Sequence, residues 1–203
     1  MSAASAVAGT IGMAQEFNGS SSYIVIPSTA SSKLNFPENG FYSLSAWIYA
    51  DTINDSFHLI IGKGHDQYSL KQTKNSSGRG EKWEMVEYHG SVGWQISQDT
   101  AAIAKSWKYI IAVRNGTNQR IYVDGQIKDS TRWTNPGAIA RNISEDVSIG
   151  RYLRYITYLY DEGYGSFDGK IDEVRICNVP RSANWIKLSY MNQRAQDALV
   201  EPR

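Results

Sequence analysis

Strand-like segments recur about every 8–12 residues along this 203-residue chain, and no helical pattern interrupts them before position 183. That rhythm excludes the alternating strand–helix order of parallel sheets. It predicts an all-β fold, an antiparallel sandwich followed by a short C-terminal helix. The clearest strand is FYSLSAWIYA at 41–50. Successive side chains of a strand point to opposite faces. Phe41, Ser43, Ser45, Trp47 and Tyr49 therefore share one face, and Tyr42, Leu44, Ala46 and Ile48 the other. Further strands are predicted at 22–27, 57–62, 67–71, 83–88, 92–97, 107–114, 119–123, 126–129 and 146–150, after a lead-in at 11–17. The turns between them are glycine-based: GKGHD at 62–66, His89-Gly90, Asn115-Gly116 and Asp124-Gly125.

The last long strand follows a glycine turn in SFDGKIDEVRIC, 166–177. Val174 and Ile176 share a face, and strict alternation puts Asp172 on the same row. A carboxylate at the start of a core row requires compensation by a cation, an arginine or backbone donors. Pro180 then stops pairing, and Ser182 caps a helix predicted over 183–198, with Trp185, Leu188 and Leu199 as apolar contacts. Between the sandwich strands sits an insertion, RYLRYITYLYDEGYG at 151–165.

The chain length fits one domain, read as 15–203, with 1–14 as a linker or leader. Net charge is +1 and the basic residues are interspersed with acids, so no face for nucleic acid is expected. The one cysteine, Cys177, excludes an intrachain disulfide and reads as a small core residue. No apolar run approaches the roughly 20 residues of a membrane helix. The opening MSAASAVAGT lacks the basic region of a secretory signal. The expectation is a piece of a longer exported chain, extracellular or at the cell surface, with other domains of that chain as neighbours. Asn-x-Ser/Thr sequons occur at Asn18, Asn75, Asn115 and Asn142 among others, and most lie in Gly/Ser turns where the pattern arises by composition.

The order FNGSSSYIVIP, FYSLSAWIYA, IIGKGHDQYSL, WKYIIAVRNGTNQRIYVDGQ, VSIGR and FDGKIDEVRI resembles the concanavalin A-like lectin/glucanase superfamily. Within it the chain is most similar to the laminin G-like domains of bacterial extracellular proteins, from about position 15 to 189. IYVDGQ and FDGKIDEVRI carry most of the likeness. The resemblance implies a two-sheet antiparallel jelly-roll sandwich, and it speaks for that fold more than for the function, because the fold hosts lectins, hydrolases and adhesion modules.

The resemblance implies two functional places. One is a structural Ca²⁺ between the first turn and the last strand, with Asp172, Asn18, Gly19, Ser22 and Asp168 as ligands. Calcium takes six to eight oxygens at about 2.3–2.6 Å. The alternative is that Asp172 caps backbone N–H groups or pairs with an arginine, and no metal binds. The other place is a polysaccharide- or oligosaccharide-binding surface. Pyranose C–H faces stack on flat rings, and their hydroxyls require polar partners nearby. The candidates are Trp83, Tyr88 and Trp94 of the middle hairpin, Trp133, and Tyr152, Tyr155, Tyr158 and Tyr160 of the insertion, with Arg132, Arg151 and Arg154 beside them. A loop minicore is the other use for these rings. Trp47 and Trp107 read as core, and Trp185 as the helix anchor.

Glucanases of this superfamily place carboxylates on one strand face so that both reach one glycosidic bond. In EKWEMVE (81–87) Glu84 and Glu87 are three apart and face opposite ways, and Glu81 and Glu87 are too distant. The E-x-D-x-x-E pattern is absent. His58, His65 and His89 lack metal-ligand spacing. The reading is a non-catalytic carbohydrate-binding module. A protein-interaction or adhesion module is the first alternative, and a glycoside hydrolase of the same fold the second.

Overall fold

A computed structural model describes residues 5–29, 32–37, 40–54, 56–64, 67–73, 80–89, 93–133, 144–153 and 165–194. In chain order the strands of its first half are β1 (Ser5–Ala8), β2 (Met13–Asn18), β3 (Ile24–Ile26), β4 (Phe41–Ala50), β5 (His58–Lys63) and β6 (Tyr68–Gln72). There follow β7 (Trp83–His89), β8 (Gly93–Gln98), β9 (Trp107–Asn115), β10 (Asn118–Val123), β11 (Gln126–Arg132), β12 (Val147–Ile149) and β13 (Asp168–Cys177), then the helix α1 (Ala183–Gln193). They form two antiparallel sheets, ordered β1-β2-β13-β4-β9-β10-β11 and β3-β12-β5-β6-β7-β8. The last strand thus lies between the second and the fourth, the crossover expected of a jelly roll.

The core follows from alternation. Tyr42, Leu44, Ala46 and Ile48 of β4 face Tyr68 and Leu70 of β6 and Trp83 and Met85 of β7. At roughly 25 cal/mol per Å² of apolar surface, each such side chain contributes about 1.5–3 kcal/mol. The other face of the seven-stranded sheet is covered as well. Trp47, Tyr109, Ile111, Val113 and Tyr122 pack beneath Ile186 of α1. Trp47 is therefore buried under the helix and not between the sheets, and Trp107 and Trp185 border the same cluster. The Ser182 Oγ accepts from the Trp185 N–H at 3.3 Å, which sets the start of α1 where the cap predicts. Leu199 lies outside the described residues, and Leu188 is half exposed.

Within the stretch read as a leader, β1 pairs along β2, with Ser5 opposite Glu16 and Ala8 opposite Met13. One expectation changes. The alternation of β13 breaks. Its register against β4 shifts between Asp172 and Arg175, and Glu173 takes φ 51°. This bulge places one extra residue in the strand. Ile171 faces the main core, and Val174 and Ile176 pack against it too, so Asp172 does not share their row. It lies opposite Trp47, on the outer face.

The glycine before the bulge is obligatory. Gly169 has φ 133°, and a Cβ there would lie 2.1 Å from the Tyr49 carbonyl oxygen. Only a residue without a side chain lets β13 approach β4 so closely.

Candidate functional site: an aromatic face on the six-stranded sheet

With Leu70 and Met85 turned inward, their neighbours Ser69, Lys71, Glu84 and Val86 face away from the core. Lys71 lies opposite Glu84, Val86 opposite Ile96, and Tyr88 opposite Trp94. The Tyr88 and Trp94 rings meet at 4.7 Å between centroids, inclined by 55°. Trp94 is 44% exposed, and it alone among the six tryptophans falls in the exposed class.

Lys71 reaches across this face. Its Nζ stands 4.7 Å from the Phe57 ring centroid, 5.5 Å from that of Tyr152 and 5.8 Å from that of Trp94. Glu84 Oε1 lies 3.9 Å away. Both charges are buried, so the pair fixes geometry more than it adds net stability. The Tyr152 hydroxyl lies 3.5 Å from Ser69 Oγ. Rings are therefore held around a buried cation, and of them Trp94 is the one that reaches solvent most fully.

At the far edge the Gln98 N–H donates to Asp129 Oδ2 at 3.1 Å, and Thr131 Oγ1 donates to the Ile96 carbonyl at 3.3 Å. Of the expected sugar-contact residues, Tyr88, Trp94 and Tyr152 come together. Trp133 follows β11, an edge strand of the seven-stranded sheet, and its indole Nε1 is buried without a hydrogen-bond partner. Arg151 precedes Tyr152 and is half buried, while Arg132 ends β11, exposed. Trp83 does not belong to this face: it is 1% exposed and points inward with Met85. Tyr155, Tyr158, Tyr160 and Arg154 lie outside the described residues, as does His65. Sequence reasoning missed Phe57 and Lys71. The alternation of YSLKQ does turn Lys71 outward, but an outward lysine reads as solvated until its strand partner Glu84 is known.

The residues expected to hold calcium divide into two groups. Asp172 Oδ2 accepts the N–H groups of Thr10 and Ile11 at 2.8 and 2.9 Å, and Oδ1 accepts that of Glu173 at 2.8 Å. Asn18 Oδ1 accepts from the backbone N–H of Ser20, Ser21 and Ser22 at 3.1, 2.9 and 3.0 Å. Asp168 lies opposite Asn18 and accepts from Thr52 Oγ1 at 3.0 Å. Four strand residues, about 13 Å, separate Asp168 from Asp172. Backbone N–H groups turn positive charge toward the oxygens a cation needs. No cluster of three His, Cys, Asp or Glu with metal-holding geometry occurs among the described residues. Asp172 thus stands apart from Asn18, Gly19, Ser22 and Asp168 and takes the backbone-capping role.

The strand carboxylates oppose each other as their spacing requires. Glu84 faces Lys71, whereas Glu87 points between the sheets. There Glu87 accepts the Tyr42 hydroxyl and lies 3.1 Å from His89 Nε2 and 3.3 Å from Arg114 Nη1. Burial first, and the adjacent Glu87 second, push the Tyr42 hydroxyl well above its ordinary pKa.

The chain belongs to the concanavalin A-like lectin/glucanases superfamily, whose laminin G-type family model matches residues 18–187. No curated protein matches it in sequence. Among solved structures, domain 4 of AbnA, an extracellular arabinanase from Geobacillus stearothermophilus, in complex with arabinotriose, superposes with TM-score 0.66 at 17% identity, over 92% of this chain and 81% of that one. A putative carbohydrate binding protein from Bacteroides ovatus gives 0.60 at 23% identity, over 86% of this chain. The botulinum neurotoxin serotype D ligand binding domain, in complex with N-acetylneuraminic acid, gives 0.63 at 15% identity, over 93% of this chain. The alignments span 45% and 44% of those two longer chains. At these identities the likeness establishes the fold. No described helix is long and apolar enough to cross a membrane.

Proposed function

We propose that this protein is a non-catalytic carbohydrate-binding module of an exported bacterial protein, and that it seats an oligosaccharide on the face around Trp94. The observation that carries this reading is the exposed Trp94 ring, braced by Tyr88 and bordered by Lys71 and Tyr152. A ring so fixed offers a flat apolar surface at little entropic cost, and the buried Lys71 beside it holds the surrounding rings in place. Superposition on domains crystallised with arabinotriose and N-acetylneuraminic acid supports the class of ligand. The opposed directions of Glu84 and Glu87 speak against a hydrolytic carboxylate pair. Affinity per site is weak, and attachment to other domains raises it.

A glycan array that includes arabinan and sialylated oligosaccharides, run with and without chelator, tests this. Binding that falls about tenfold or more in Trp94→Ala, at unchanged thermal stability, is expected. Absence of any glycan binding at millimolar concentration, or full binding by Trp94→Ala, refutes it.

A further inference from the structure

A cleft of about 460 Å³ opens where the Asp124-Gly125 turn, the 99–103 loop and the C-terminal end of α1 converge. It is remote from Trp94, because β8 runs five residues, about 16 Å, from Trp94 to Asp99. The volume lies within the range of small-molecule sites, about 300–1,000 Å³. Trp83 and Val123, both nearly fully buried, close its bottom, and Tyr190 forms one wall.

The charges lining it are unequal in what they have left to bind. Asp124 is spent: Oδ2 is 3.0 Å from Lys108 Nζ, and Oδ1 accepts the Tyr109 N–H at 3.0 Å. Asp99 Oδ1 accepts both the N–H and the hydroxyl of Thr100, at 2.6 and 3.3 Å. The two remaining cations, Lys128 and Arg194, make no ion pair among the described residues. Arg194 Nε is buried without a hydrogen-bond partner, and its guanidinium stands 5.8 Å from the Tyr190 ring centroid. A buried guanidinium N–H left unmatched is costly and favours an anionic acceptor. Thr100 and Gln126 add neutral polar groups to the rim.

We infer that this cleft is a second saccharide site and that it takes a uronic acid residue. The carboxylate meets Arg194 and Lys128, the sugar ring lies against Tyr190, and Gln126 and Thr100 receive hydroxyls. A neutral sugar offers Arg194 and Lys128 no opposite charge, which sets the selectivity for the acid. The site shares no residue with the Trp94 face, so either can fail without the other.

The test is titration with trigalacturonate and, separately, a neutral galactotriose, followed by calorimetry on wild type, Arg194→Gln, Lys128→Gln and Trp94→Ala. Trigalacturonate is expected to bind wild type and Trp94→Ala alike, to weaken about tenfold in each of the two cation variants, and to weaken further with added salt. Lys128 is exposed, so its variant tests the site even where Arg194→Gln disturbs the end of α1. No uronate binding, unchanged affinity in both cation variants, or equal affinity for the neutral trisaccharide overturns the inference. Loss of neutral-glycan binding in Trp94→Ala bears on the sheet face alone.

Discussion

Arg114 and Glu87 meet midway between the two sheets, Nη1 3.3 Å from Oε2, with neither side chain reaching solvent. Tyr42, His89 and Gln95 complete the group, the last 3.4 Å from Arg114 Nη1. Arg114 Nε and Nη2 have no hydrogen-bond partner, so Glu87 is the main compensation for a buried positive charge. Glu87→Ala is expected to destabilise the fold by about 3–5 kcal/mol, because it strands that charge. The double variant Glu87→Leu with Arg114→Met removes both charges and is expected to be far less damaged. Urea denaturation of the three proteins checks this; an Ala variant as stable as wild type contradicts it.

His58 makes the fold sensitive to mild acid. Its Nδ1 lies 2.6 Å from the Ser166 carbonyl oxygen and its Nε2 2.7 Å from Asn54 Oδ1, and the neutral ring has one N–H to donate between them. Burial lowers its pKa below the usual 6.5, against the opposing pull of the Ser166 carbonyl and of Asp168. The unfolded chain therefore takes up a proton that the folded one resists. This contribution to stability is fully present above about pH 6.5 and is lost as the pH falls from there through the folded value. Thermal melts between about pH 7 and pH 5 are expected to slope downward toward acid, and the slope to flatten in His58→Gln. Identical slopes in both proteins remove His58 as the cause.

The tyrosines of the core act in the opposite direction. Burial raises the pKa of Tyr42, Tyr68 and Tyr109, with Glu87 adding to the shift at Tyr42. Since the unfolded hydroxyls ionise near pH 10, the stability they confer holds below about pH 10 and is lost as pH rises above it. Tyrosinate absorbance in the folded protein is expected to fall short of the full complement at that pH and to jump on unfolding. A complete titration of all 13 tyrosines before unfolding contradicts the burial assigned here.

The strand framework was legible because its signals are local. FYSLSAWIYA carries its two faces in adjacent letters, and Asn115-Gly116 and Asp124-Gly125 mark their own turns. The Ser182 cap was legible for the same reason. What alternation cannot encode is its own interruption. Glu173 adopts φ 51° without glycine's freedom, and the resulting bulge turns Asp172 away from Val174 and Ile176. The aromatic face is a second kind of failure. Phe57, Lys71, Trp94 and Tyr152 converge from four separate segments, so no local spacing announces them. Trp83, by contrast, was open to a better reading: it shares a strand row with Met85 and goes inward with it.

Asp172 accepts three backbone N–H groups and through them ties the chain's first turn to its last strand. Two of those donors, Thr10 and Ile11, precede β2, so the carboxylate pins the segment between β1 and β2 to the outer face of β13. A Cβ at Gly9 would lie 2.4 Å from Asp172 Oδ2, so the backbone there passes against the carboxylate with no room for a side chain. Asp172→Ala leaves buried N–H groups unmatched, at about 1–3 kcal/mol for each that water cannot reach. The expected result is a large drop in melting temperature, accompanied by early hydrogen exchange of the amides in β1. Asp172→Asn keeps an acceptor oxygen but loses the charge and is expected to fall between wild type and the Ala variant. Because backbone donors occupy the oxygens, chelator is expected to leave the melting temperature of wild type unchanged. A drop on chelation that calcium reverses in wild type and not in Asp172→Ala places an ion on this carboxylate and overturns the capping role.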